Sequence, residues 1–209
     1  MSRRRRLIPL WVKVIYTAFM AVMIPIYWRA YGPNDFLWFC DAAAILTIFG
    51  LWLESPLIAS INAVAMTLPQ TIWIIDFLTL GHVVGVSAYM FDPGVKLYVR
   101  ALSTFHIWLP FLLLWMVKRL GYDRCAVWYQ IALGTALLIA SYALTDPRHR
   151  PDYPAAAVNV NRVYGLDPVQ VQTRFPPLAY LAVEIAFWPV VFFIPTHFLL
   201  RRVFRNRRR

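Results

Sequence analysis

Cys40, Asp41 and His106 stand out first, because a thiol, a carboxylate and an imidazole fall inside long apolar runs. Ionisable groups within a hydrocarbon span are costly and mark functional sites by default. A thiol becomes a nucleophile once a base takes its proton, and a histidine can take that proton and return it to a leaving group. The pairing therefore points to acyl transfer. Two points weigh against it. Most buried cysteines are inert small apolar side chains, and the Asp41 carboxylate works against a thiolate unless Arg100 or Arg29 pairs with it. His106 has a second feature in Pro110, four residues on, which cannot donate a backbone hydrogen bond to the His106 carbonyl. That predicts a kink and a free acceptor beside the imidazole, with Ser103 and Thr104 adding polar groups on the preceding turn.

More polar groups gather at the same depth. Asp76 closes the third apolar run, His82 follows it, Arg100 opens the fourth run, and Glu184 lies about two turns into the last. Asn159, Asn161, Arg162 and Tyr164, in the long segment before the last run, can roof this group. Glu54 and His197 lie towards the other ends of their runs. The cluster reads equally as a pocket and as interhelical hydrogen bonds and ion pairs that hold a bundle together. His82, His106, Asp41 and Asp76 could supply four metal ligands, but they lie on three segments without ligand spacing, so a metal enzyme is the weaker third reading and no metal or other cofactor is expected. Cys125, at the opposite end of its span from Cys40, is too far away for a disulfide.

The elements that must position these residues are helices. The 209 residues are 60% hydrophobic and only 15% charged, and the apolar residues come in blocks near the ~20 that cross a bilayer. The reading is an all-α polytopic integral membrane protein, one domain over 1–209, with six transmembrane helices. The spans are about Leu7–Trp28, Phe36–Leu53, Leu57–Leu80, Tyr98–Val117, Cys125–Leu144 and Leu178–Leu200. A long external loop occupies 146–177. Six crossings put fourteen Lys and Arg residues on one side and seven on the other, so both termini are expected to be cytoplasmic. In a bacterium that membrane would be the inner, cell membrane. The first run is too long for a signal peptide and reads as a retained anchor. The +11 charge sits at the flanks, in Arg3–Arg6 and Arg201–Arg209, where it suits anionic lipid headgroups; no nucleic-acid motif accompanies it.

Tyr31 and Gly32, followed by Phe36, Leu37, Trp38, Phe39, Cys40 and Asp41, resemble the second span of a six-helix membrane superfamily. That group includes the bacterial YwaF-type proteins, transmembrane protein 164 and the androgen-induced lipid hydrolases. In that register Cys40 falls on the nucleophile position of the transmembrane protein 164 type. The segment His106–Leu114 is similar to the histidine-to-proline helix of the androgen-induced hydrolases, and His106 falls on their catalytic histidine. Their threonine register is occupied here by Trp38, so threonine chemistry is not available. Asn161–Gly165 is similar to the polar segment before the family's last span.

The resemblance implies a lipid ester hydrolase or acyltransferase with membrane lipid as substrate, Cys40 as nucleophile and His106 as base. Arg100, Asn161 or Arg162 would steady the headgroup or the oxyanion. The alternative class is a small-solute or proton-coupled transporter, with Asp41 and Asp76 indispensable and Pro69 and Pro110 as hinges.

Overall fold

The computed structural model describes residues 7–145, 159–167 and 170–204. Arg3–Arg6, Arg148, Arg150, Arg205, Arg207–Arg209 and, within the 146–177 loop, residues 146–158, 168 and 169 therefore lie outside the described residues. The described chain is helical and contains no strand. Its α-helices are α1 (Leu10–Tyr31), α2 (Phe39–Leu53), α3 (Pro56–Leu78), α4 (Leu97–Ser103), α5 (Phe105–Leu120), α6 (Ala126–Leu144), α7 (Pro177–Trp188) and α8 (Ile194–Val203). Five helical stretches are long and apolar enough to cross a membrane: Leu10–Tyr31, Pro56–Leu78, Leu97–Leu120, Ala126–Leu144 and Pro177–Val203. Large apolar side chains such as Trp11, Leu53, Leu78, Phe111 and Trp128 face outward, as a surface solvated by lipid requires. The chain is an all-α, multi-spanning integral membrane protein.

Side-chain bonds between distant segments fix the direction of the helices. Lys13 Nζ meets Glu54 Oε1 at 2.8 Å, which joins the start of α1 to the end of α2. The Asp123 amide donates to Ser60 Oγ at 2.9 Å, joining the entry to α6 with the start of α3. At the other end Asn34 Nδ2 donates to Leu144 O at 3.0 Å. Successive passes therefore alternate between a basic end, which carries Lys13, Lys118, Arg119, Arg124 and Arg201, and an opposite end. The middle of this arrangement is α3, which packs on α2, α5, α6 and α8. Ala59, Ser60 and Ala63 are fully buried on it, and such small side chains let helix backbones approach closely.

Glu54 repays attention as a fastening. Its carboxylate also accepts from the Leu7 and Ile8 amides at 3.0 and 3.3 Å, two donors that precede α1 and have no helical acceptor. Burial acts to raise its pKa, but the bonds from Lys13, Leu7 and Ile8 outweigh it and hold the carboxyl below its ordinary value. A depressed carboxyl stabilises the fold above its unfolded-state pKa and loses that contribution as pH falls through the folded-state value. Glu54→Gln is therefore expected to lower the melting temperature at neutral pH and to match the parent chain only at an acid pH where the folded-state carboxyl is itself protonated. Thermal unfolding in detergent at both pH values checks this, and equal melting points at neutral pH would refute it.

Two of the long apolar runs are interrupted. The fourth run is divided at Thr104 into α4 and α5, and α5 continues through Pro110. A proline ring presses on the carbonyl four residues before it, so the distortion belongs to the preceding turn. The last run is likewise not a single α-helix. Pro189–Phe193 forms a π-turn between α7 and α8, where Pro189 and Pro195 each withhold a backbone donor. Phe193 of that turn packs onto Gly134 of α6, where an added Cβ would lie 2.9 Å from its ring.

Candidate functional site

The first turn of α2 carries Cys40 and Asp41. Phe39 opens the helix, and its amide has no partner within α2; Asn161 Oδ1 accepts it at 3.2 Å. The same Asn161 donates through Nδ2 to Leu37 O at 2.8 Å and to Ser141 Oγ at 3.0 Å. Asn161 thus caps α2 from a remote segment and ties it to α6. Its φ of 54° lies in the left-handed region, which asparagine tolerates better than most residues. Expected as an oxyanion donor, Asn161 has both amide ends committed to structure.

Cys40 is half-buried, and its thiol donates to Asp41 Oδ2 at 3.4 Å. Asp41 is 3% exposed and its Oδ1 has no hydrogen-bond partner. Neither Arg100 nor Arg29 pairs with it: the ion pair among the described residues is Lys13–Glu54. Arg100 instead donates from Nη1 to Met90 O at 3.2 Å, while its Nε is buried without a partner.

The break at Thr104 shapes the surroundings of His106. The Ile107 amide turns to Thr104 O at 2.9 Å, three residues back. His106 Nδ1 lies 2.8 Å from Ser103 O. A carbonyl only accepts, so Nδ1 must carry the proton, and the lone pair of the neutral ring is on Nε2. Nε2 has no hydrogen-bond partner among the described residues. Trp73 of α3 stacks on the ring, with centroids 4.7 Å apart and planes at 20°, and Phe105 lies against it at 4.1 Å. The imidazole is held in plane and in tautomer, with one nitrogen open.

No hydrogen bond joins Cys40 to His106 among the described residues. They share neighbours instead. Tyr27 Oη meets Ser103 Oγ at 2.5 Å, and Ser103 supplies the carbonyl that holds His106. Tyr89, in the turn Ala88–Met90, lies against the same serine. Burial holds the Tyr89 phenol above its ordinary value; a hydrogen bond with Ser103 opposes this, while Cys40, Asp41 and Tyr31 nearby add to it. Asp35, 7% exposed in the turn before α2, is pushed up to about 7 by burial, against a hydrogen bond from the Trp38 side chain. Tyr27, Tyr31, Tyr89, Asp35 and Trp73 are neighbours of the candidate residues that the sequence alone did not single out. The i, i+4 spacing of Tyr27 and Tyr31 on one face of α1 was a usable signal.

The remaining candidates lie apart. Asp76 is fully buried and saturated: Oδ1 accepts the Val83, Val84 and Gly85 amides at 2.7–3.1 Å, and Oδ2 accepts the Ser87 amide and hydroxyl at 2.8 and 2.7 Å. It organises the loop after α3. The His82 side chain is exposed in that loop. Asn159 donates to Gly165 O and Asp167 O, both at 2.8 Å, and accepts the Tyr164 amide at 3.0 Å, closing its own loop. Tyr164 stacks on Tyr142 and bonds its carbonyl. Arg162 donates to Leu166 O. Burial lowers its pKa, with Asp167 and Tyr180 acting against this. Glu184 is flanked on α7 by Tyr180 and Trp188, not by Arg100 or His106. No group of three or more His, Cys, Asp or Glu side chains among the described residues is placed to hold a metal ion.

No family model matches the chain, and neither the curated proteins nor the solved structures compared with it give a match.

Proposed function

We propose that the chain crosses its membrane six times with both termini cytoplasmic, and that it is a lipid ester hydrolase or acyltransferase related to the YwaF-type and transmembrane protein 164 superfamily. The alternating passes and the gathering of Lys and Arg at one end support this topology. The chemical reading rests on one observation above others: His106 Nδ1 is committed to Ser103 O, which leaves Nε2 as an open base inside an aromatic wall.

In this reading Cys40 Sγ attacks the ester carbonyl and the thiol proton passes to Asp41 Oδ2, its hydrogen-bond acceptor. The C–O bond breaks, Asp41 returns the proton to the departing alkoxide, and a thioester remains on Cys40. Water or an acceptor alcohol then attacks the thioester, losing its proton to His106 Nε2. The released thiolate recovers that proton from the imidazolium. General base catalysis of this kind contributes ~10²–10⁴-fold. His106→Ala is therefore expected to accumulate an acyl-Cys40 adduct from a fluorescent lipid ester and to turn over about 100-fold more slowly. Cys40→Ala should form no adduct. Undiminished turnover in both variants would end the proposal.

A second reading is favoured by Asp41 Oδ1, which is buried without a partner, with Asp35, Tyr27, Tyr31 and Tyr89 close enough to interact. Such a carboxyl suits a proton or a cationic solute. Uptake by reconstituted vesicles separates the two readings: a carrier fails with Asp41→Asn and survives Cys40→Ser.

A further inference from the structure

The basic end of the bundle holds a group that the chemistry above does not use. His197 of α8, 8% exposed, lies with Nδ1 2.7 Å from the hydroxyl of Tyr122, in the turn between α5 and α6. Burial and the nearby Asp123 carboxylate hold the Tyr122 phenol above its ordinary value, so it stays an O–H. When that O–H donates to Nδ1, the ring proton sits on Nε2 and the pair offers a donor to its surroundings. The guanidinium groups of Arg124 and Arg201 lie close enough to act on the charge of His197. Both are exposed, and neither has a carboxylate partner among the described residues. Asp123 is the acidic neighbour, and its Oδ1 is engaged by the Cys125 amide at 2.9 Å.

We infer that Arg124, Arg201 and the Tyr122–His197 pair form a binding site for the phosphate of an anionic lipid headgroup in the leaflet opposite Cys40. Phosphate presents only acceptors, and these residues, drawn from two elements, present donors. A lipid is favoured over a soluble anion by what lies beside the cations. Trp128 is 71% exposed, one turn from Arg124, and Phe198 is 58% exposed, one turn from Arg201. A headgroup on the arginines would lay its chains along these faces, whereas free phosphate would use neither.

The test is native mass spectrometry of the full chain released from nanodiscs that contain phosphatidylcholine and phosphatidic acid. Wild-type protein should retain phosphatidic acid selectively. The double variant Arg124→Gln/Arg201→Gln should retain about thirtyfold less, as expected for losing two interfacial cations. Tyr122→Phe, which keeps its packing, should lose about threefold through the weakened His197 donor. Lys96→Gln, at the other end, should change nothing. Retention that is equal in all four proteins overturns the site. Displacement of the bound lipid by millimolar inorganic phosphate overturns the lipid assignment in favour of a soluble anion. Because none of these residues touches Cys40 or His106, the outcome is independent of the acyl-transfer reading.

Discussion

Asp76→Ala is expected to release the segment from Thr79 to Met90 while the helices stay in place. The carboxylate collects four backbone amides and one hydroxyl, and the segment has no comparable second anchor. It also holds Leu80 at φ 57°, a conformation that costs a non-glycine residue on the order of 1 kcal/mol. Hydrogen bonds to a charged acceptor contribute about 1.5–3 kcal/mol each, but several on one carboxylate are far from additive. The His82–Gly85 stretch can turn to water, while the Ser87 amide and hydroxyl cannot, because Ser87 is fully buried. A loss of about 4 kcal/mol follows. Asp76→Asn should lose nearly as much, since the amide replaces one acceptor with a donor that faces donors. Hydrogen exchange at the amides of residues 83–87, followed with thermal unfolding, reads both effects; unchanged protection there would contradict this assignment. The same saturation argues against Asp76 as a solute or proton site, because neither oxygen is free.

The second large effect is expected from Asn161→Ala. It strands the buried Phe39 amide, removes the partner of the fully buried Ser141 hydroxyl, and takes the Asn161 donor from the partly buried Leu37 carbonyl. Each buried polar group left unpaired costs about 1–3 kcal/mol, and alanine is also poorly suited to φ 54°. A total of about 3 kcal/mol is expected, with fraying of the first turn of α2. Cys40 should then react several-fold faster with a membrane-impermeant maleimide, which separates a local effect from general instability. Asn161→Asp keeps an acceptor for Phe39 but loses the donor to Leu37 O, so it should fall between the two. If the maleimide rate is the same in Asn161→Ala and the parent, Asn161 is not the cap of α2.

Helix positions were largely legible in the sequence because length and apolarity are local properties. The predicted Cys125–Leu144 and Leu57–Leu80 lie within two residues of α6 and α3 at each end. The breaks were less legible. Pro110 announces a disturbance but not its place, which depends on how the turn before it redistributes its bonds. The partners of polar residues were the least legible. Asp76 and Asn161 were recognisable as buried polar groups, yet their partners are mostly backbone groups, and backbone carries no sequence signal. Arg100 and Asp41 look complementary on paper, but the fold gives Arg100 a carbonyl and leaves one oxygen of Asp41 alone. His106 was readable as a residue; its tautomer is set by the Ser103 carbonyl, a backbone group that carries no sequence signal.

The shortness of α2 has a consequence for the lipid around it. Its 15 residues, rising ~1.5 Å each, reach roughly 22 Å, against a hydrocarbon layer of ~30 Å. On a six-crossing path this helix is mismatched to its surroundings, and the bilayer accommodates a short span by thinning beside it. Acyl ester linkages next to α2 would then ride several ångströms deeper than elsewhere in the leaflet. Cys40 sits in the first turn of that helix, so under the proposed acyl-transfer reading the dimple would bring ester carbonyls towards the thiol before any pocket has to open.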